Sequence, residues 1–62
     1  MSDVPPTAGL EAKILAHLRR EPMKADDMAR ALAIPVAQIG TALSLMQLKG
    51  FINSDNGKYY IN

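Results

Sequence analysis

Sixty-two residues with seven Lys or Arg, six Asp or Glu and no cysteine make one domain rather than two and leave the chain close to neutral. They exclude disulfides and thiolate metal sites, and a chain this short buries only ~60% of its unfolded surface. No apolar run approaches the ~20 residues of a membrane span, and no charged, then apolar, N-terminal stretch marks a signal peptide. The lack of cysteine fits a reducing compartment, and the location expected is cytoplasmic.

Met1 to Thr7, with Pro5 and Pro6, reads as a flexible lead-in or linker, and residues 8–62 as the domain. Thr7 can cap a helix from about Ala8 to Arg20. Leu10, Ile14, Leu15 and Leu18 have helical spacing, with Glu11, Lys13, Arg19 and Arg20 on the solvated face. Pro22 stops that helix. Met23 reads as a one- or two-residue strand. A second helix starts near Ala25, with Asp26 and Asp27 at its positive end and Met28, Ala31 and Leu32 as its apolar face. Pro35 opens a third helix, which runs to about Lys49 with Ile39, Ala42, Leu43 and Met46 inward. Gly50 is placed to end it.

After Gly50 the period changes. Phe51, Ile52 and Asn53 are strand-like, Ser54 to Gly57 are turn residues containing the Asn-Gly hairpin signal, and Tyr59 to Ile61 form the return strand. Three helices followed by a hairpin predict a mainly α winged helix-turn-helix with a two- or three-stranded antiparallel wing. The turn between the second and third helices supports it. Ala29 is small where two helices would cross, Ala33 is small four positions later, and Met28, Leu32, Ile34, Ile39 and Ala42 fill the angle.

Two runs carry a resemblance. They are Asp27-Met28-Ala29-Arg30-Ala31-Leu32 with Ile34-Pro35-Val36-Ala37-Gln38-Ile39, and Ala42-Leu43-Ser44-Leu45-Met46-Gln47-Leu48-Lys49-Gly50-Phe51-Ile52 with Gly57-Lys58-Tyr59. Together they resemble the C-terminal winged-helix domain of the DNA-processing protein A (DprA, or Smf) family, over roughly Leu10 to Asn62. The resemblance implies a bacterial protein that brings incoming single-stranded DNA to the recombinase RecA during natural transformation. It also implies a larger Rossmann-like domain N-terminal in the parent chain, with the chain ending near the parent's C-terminus. The family tends to have acidic residues at the positions of Leu45 and Gln47, and this sequence departs there.

The residues themselves leave two functions open. In a helix-turn-helix the second helix of the motif enters the major groove. Its outward positions here include Val36, Ala37, Gln38, Gly40, Thr41 and Ser44. Gln38 can pair with adenine, and Thr41 or Ser44 with phosphate or a base edge. No Arg or Lys lies between Pro35 and Leu48, so the usual arginine-to-guanine contact is missing. Lys24, Arg30, Lys49 and Lys58 surround the helix as candidate phosphate contacts, offset by Asp26, Asp27 and Asp55. These features predict weak DNA binding of low specificity. Alternatively, Val36, Ala37, Gly40 and Leu45 form an exposed apolar strip for a protein partner or a homodimer. His17 stands alone and reads as a half-buried structural histidine, Asp26 and Asp27 are a first-turn charge pair, and one of Tyr59 and Tyr60 should pack inward while the other is free to stack. No cofactor, metal site or catalytic set is expected, so the chain is read as non-enzymatic.

Overall fold

The computed structural model describes residues 6–62, with side chains from residue 9 onward. Six elements follow in order: α1 (Pro6–Leu18), β1 (Met23–Lys24), α2 (Ala25–Leu32), α3 (Val36–Leu48), β2 (Ile52–Asp55) and β3 (Lys58–Ile61). The strands form one antiparallel sheet in the order β1-β3-β2. Three helices and a three-stranded wing make a winged helix.

Helix α1 begins at Pro6, two residues earlier than the expected start at Ala8, so Thr7 lies within the helix rather than capping it. Proline fits the first helical turn because its missing N–H would be unpaired there anyway. The rest of the expected lead-in, Met1 to Pro5, lies outside the described residues. The helix ends at Leu18, not Arg20. Its last turn closes through the amides of Arg20 and Glu21 onto the His17 carbonyl (3.1 and 3.3 Å), which leaves Arg19 and Arg20 in the turn. His17 is half-buried.

Helices α2 and α3 end in the same motif. The Ile34 amide reaches the Ala29 carbonyl at 3.0 Å and the Ala33 amide the Arg30 carbonyl at 3.3 Å. The Phe51 and Gly50 amides reach the Met46 and Gln47 carbonyls, both at 3.0 Å. Each motif needs a left-handed residue. At the end of α3 it is Gly50, at φ 82°, and at the end of α2 it is Ala33, at φ 57°. A Cβ in that conformation costs about 1–2 kcal/mol, partly recovered because alanine loses less backbone entropy than glycine. Ala33→Gly is therefore expected to stabilise the domain by roughly 0.5–1 kcal/mol, read as a rise of several degrees in the thermal midpoint. A lower midpoint would show that the methyl group's packing outweighs its strain.

Between α2 and α3 the chain turns through 119°, within the range of a helix-turn-helix. Met28 is buried, and Ala25, Ala29 and Leu32 pack against the core. Ala31, expected on that face, is exposed, because a helix advances about 100° per residue and Ala31 falls beyond the stripe set by Met28 and Leu32. The hairpin is tighter than expected. Ser54 and Asp55 belong to β2, and only Asn56 and Gly57 (φ 52° and 83°) make the turn, as a two-residue loop with both φ positive demands.

The core joins Ile14 and Leu18 of α1, Met28 of α2, Ile39, Ala42, Leu43 and Met46 of α3, and Ile52 of β2. Leu10, Leu15, Met23, Ile34 and Tyr59 close its edges. One expectation for α1 is reversed. Glu11, assigned to the solvated face, is 9% exposed. It lies one turn before Ile14 and two before Leu18, on the stripe that meets α3. Its carboxylate is held by the Lys49 ammonium at 3.3 and 3.4 Å, as a charge in that position requires. Among the described residues, no single helix is long and apolar enough to cross a membrane.

Candidate nucleic-acid interface

The turn at Ala33 sets α3 against α1 so that its first turns stand at the surface. Val36, Ala37, Gln38, Thr41 and Ser44 are exposed, and Gly40 is half-buried. The helix starts without a side-chain cap and has no acidic residue in its first turn. Its first amides therefore keep their positive end uncompensated by a carboxylate. The Thr41 hydroxyl donates to the Ala37 carbonyl at 3.1 Å, leaving its oxygen lone pairs outward.

Beside this surface lies an open groove of about 570 Å³. It is lined by Gly9, Leu10 and Lys13 of α1, Ile34 of the turn, and Ala37, Gln38 and Thr41 of α3. It brings Gln38 and Thr41, both expected DNA contacts, next to Lys13, which helical spacing places on the solvated face without a role. Lys13 is separated from α3 by more than twenty residues (sequence positions 13 and 36), and no local pattern reports that proximity.

The four cations expected around α3 divide into two pairs. Arg30 is bound to Asp27 at 2.7 Å on the exposed side of α2, and Lys49 is bound to Glu11. Lys49 also lies 5.9 Å from the centre of the Phe51 ring. Both charges are therefore offset within the domain. Lys24 and Lys58, by contrast, stand directly opposite each other across β1 and β3, and both are exposed.

The apolar candidates do not form one strip. At about 100° per residue, Val36 and Leu45, nine positions apart, fall on opposite edges of α3. Val36 groups with Ala37 and Gly40. Leu45, 37% exposed, rises beside Leu48, which is 84% exposed, at the far end of the helix.

The chain matches the family model described as the DprA winged helix domain over residues 2–58. No curated protein matches it. The fold is similar to part of a solved structure described as "PigF with SAH", with a TM-score of 0.78 and 25% identity over 90% of this chain. The match covers 17% of that other chain, so the likeness is to one small domain of a larger protein.

Proposed function

Because the chain belongs to the DprA winged helix domain family, we propose that it is the accessory winged-helix domain of a cytoplasmic DNA-processing protein, contacting DNA weakly and without sequence preference. In this reading it lies C-terminal to a Rossmann-like domain in a parent protein of DNA uptake, natural transformation and recombination. It catalyses nothing itself.

The observation that carries the DNA reading is the exposed N-terminal half of α3. The surface is small and uncharged at Ala37, Thr41 and Ser44, its amide end is uncapped, and Lys13 flanks it across the groove. Phosphate can approach such a helix end closely. The same surface holds no Arg or Lys for guanine, so sequence reading has little chemistry to use. Few free cations also mean a shallow salt dependence, since each neutralised phosphate adds about −0.9 to the slope.

Amide NMR spectra of the labelled domain, with short single- and double-stranded DNA added at low and high salt, test this. Salt-sensitive shifts on Lys13, Ala37, Gln38 and Thr41 are expected, of similar size for unrelated sequences. An unchanged spectrum at low salt and millimolar DNA would sink the DNA-binding reading.

A second reading, docking of a protein partner or a second copy, is favoured by Leu45, Leu48 and Phe51, all exposed near the C-terminal end of α3. It predicts self-association or partner binding that survives high salt and is abolished by Leu48→Asp.

A further inference from the structure

The outer face of the sheet carries an arrangement that the α3 surface does not use. Side chains alternate across a strand, and the register fixes which ones share a face. Met23 and Ser54 stand opposite Tyr59, and Ile52 opposite Ile61. Met23, Tyr59 and Ile52 belong to the core or pack against it, so this set faces the helices. The alternate set points away from them. Lys24 and Asp55 stand opposite Lys58, and Asn53 opposite Tyr60.

Two features of that outer face point to a ligand. Lys24 and Lys58 are like charges in directly opposed positions, and the single carboxylate across from Lys58, that of Asp55, offsets only part of their charge. The ion pairs among the described residues are Arg30–Asp27 and Lys49–Glu11, so neither lysine is in one. Tyr60 lies two residues beyond Lys58 on the central strand, about 7 Å away along the backbone. It is half-exposed. A cation pair beside an aromatic ring on an open sheet offers both things a single strand presents, phosphate charge and a free base face. A duplex keeps its bases stacked on one another and presents no such face at its sides.

We propose that the outer face of the β1-β3-β2 sheet binds single-stranded DNA, with Tyr60 stacking on a base and Lys24 with Lys58 holding the neighbouring phosphate. The assignment rests on the reading of the domain as a DNA binder and moves its single-strand contact from α3 to the wing. Asp55, across from Lys58 on β2, repels the same phosphate and keeps the affinity low.

The test is titration of the 62-residue chain with a short oligothymidylate, with an abasic oligomer of equal length, and with a hairpin duplex, followed by amide shifts. Oligothymidylate is expected to shift the amides of β3 and β1. Tyr60→Leu should weaken its binding roughly 5- to 100-fold, while Tyr60→Phe keeps it within about twofold, because stacking needs the ring and not the hydroxyl. The abasic oligomer, which needs no change to the protein, should bind the native chain as weakly as oligothymidylate binds the Leu variant. Lys24→Gln with Lys58→Gln should flatten the salt slope by about 0.7 for each phosphate no longer neutralised, and Asp55→Asn should tighten binding. Equal affinity for the abasic oligomer and oligothymidylate overturns the proposal. So do duplex-induced shifts on Gln38 and Thr41 with none on β3 from either ligand, an outcome that leaves the DNA-binding reading standing. If no DNA moves any amide, both readings fall together.

Discussion

Ile39→Ala is expected to remove most or all of the domain's stability. Ile39 sits in the second turn of α3 with none of its surface exposed, among Ile14, Met28, Leu43 and Met46. Truncation of a buried isoleucine to alanine costs about 2–5 kcal/mol, the lost transfer energy plus the cavity that remains. A single small core supplies little beyond roughly 3–5 kcal/mol in total, so the variant is expected to be largely unfolded at physiological temperature. Urea denaturation followed by far-ultraviolet circular dichroism measures this. With a slope of about 1 kcal/mol per molar, a loss of about 3 kcal/mol moves the midpoint by about 3 M. Ile39→Val should cost only about 0.5–1.5 kcal/mol. On the same helix, Leu48 is 84% exposed, and Leu48→Ala should stay within about 0.5 kcal/mol of the native chain. Equal midpoints for Ile39→Ala and Leu48→Ala would contradict the orientation of α3.

The contrast between Ile39 and Leu48 shows what the sequence can and cannot report. The inward face of α3 is legible because Ile39, Ala42, Leu43 and Met46 repeat at helical spacing, and all four are buried. The helix-turn-helix is legible because its constraints are local, with small residues at Ala29 and Ala33 and a stop and restart at Pro35. The Asn56-Gly57 turn is legible for the same reason, although strand pairing reaches closer to it than the turn residues suggest. What escapes the sequence is tertiary. Glu11 reads as solvated because carboxylates usually are, yet the stripe it occupies faces α3 and its partner is 38 positions away. The groove joining Lys13 to Gln38 and Thr41 depends on how α1 crosses α3, which periodicity does not encode. The outer face of the wing is legible in part. Alternation requires Tyr59 and Tyr60 to face opposite ways, but only the pairing of Met23 and Ser54 with Tyr59 decides which ring turns inward.

Lys49 is where the stability and the binding readings meet, and they predict different outcomes for its removal. Its ammonium lies 3.3 Å from the Glu11 carboxylate, whose side chain is only 12% exposed, while half of the lysine side chain remains in water. Lys49→Met is therefore expected to destabilise the domain by about 1–2 kcal/mol. Stranding one member of a fully buried pair costs about 3–5 kcal/mol, and water at the lysine end weakens the interaction being removed. Replacing both partners, with Glu11→Leu and Lys49→Met together, removes the stranded charge and should recover much of that cost, since apolar packing often substitutes for a desolvated pair. The double-mutant cycle by urea denaturation gives the coupling directly, expected near ~1 kcal/mol; a coupling indistinguishable from zero would show the ion pair to be incidental. This predicted role changes how a loss of DNA affinity in a Lys49 variant is to be read. Lys24 and Lys58 stand opposite each other on the wing and outside both ion pairs, so their replacement should flatten the salt dependence of binding and leave the urea midpoint in place or raise it slightly, as a like-charge pair is removed. Replacement of Lys49 should do the reverse, because its charge is already engaged in holding α1 against the end of α3.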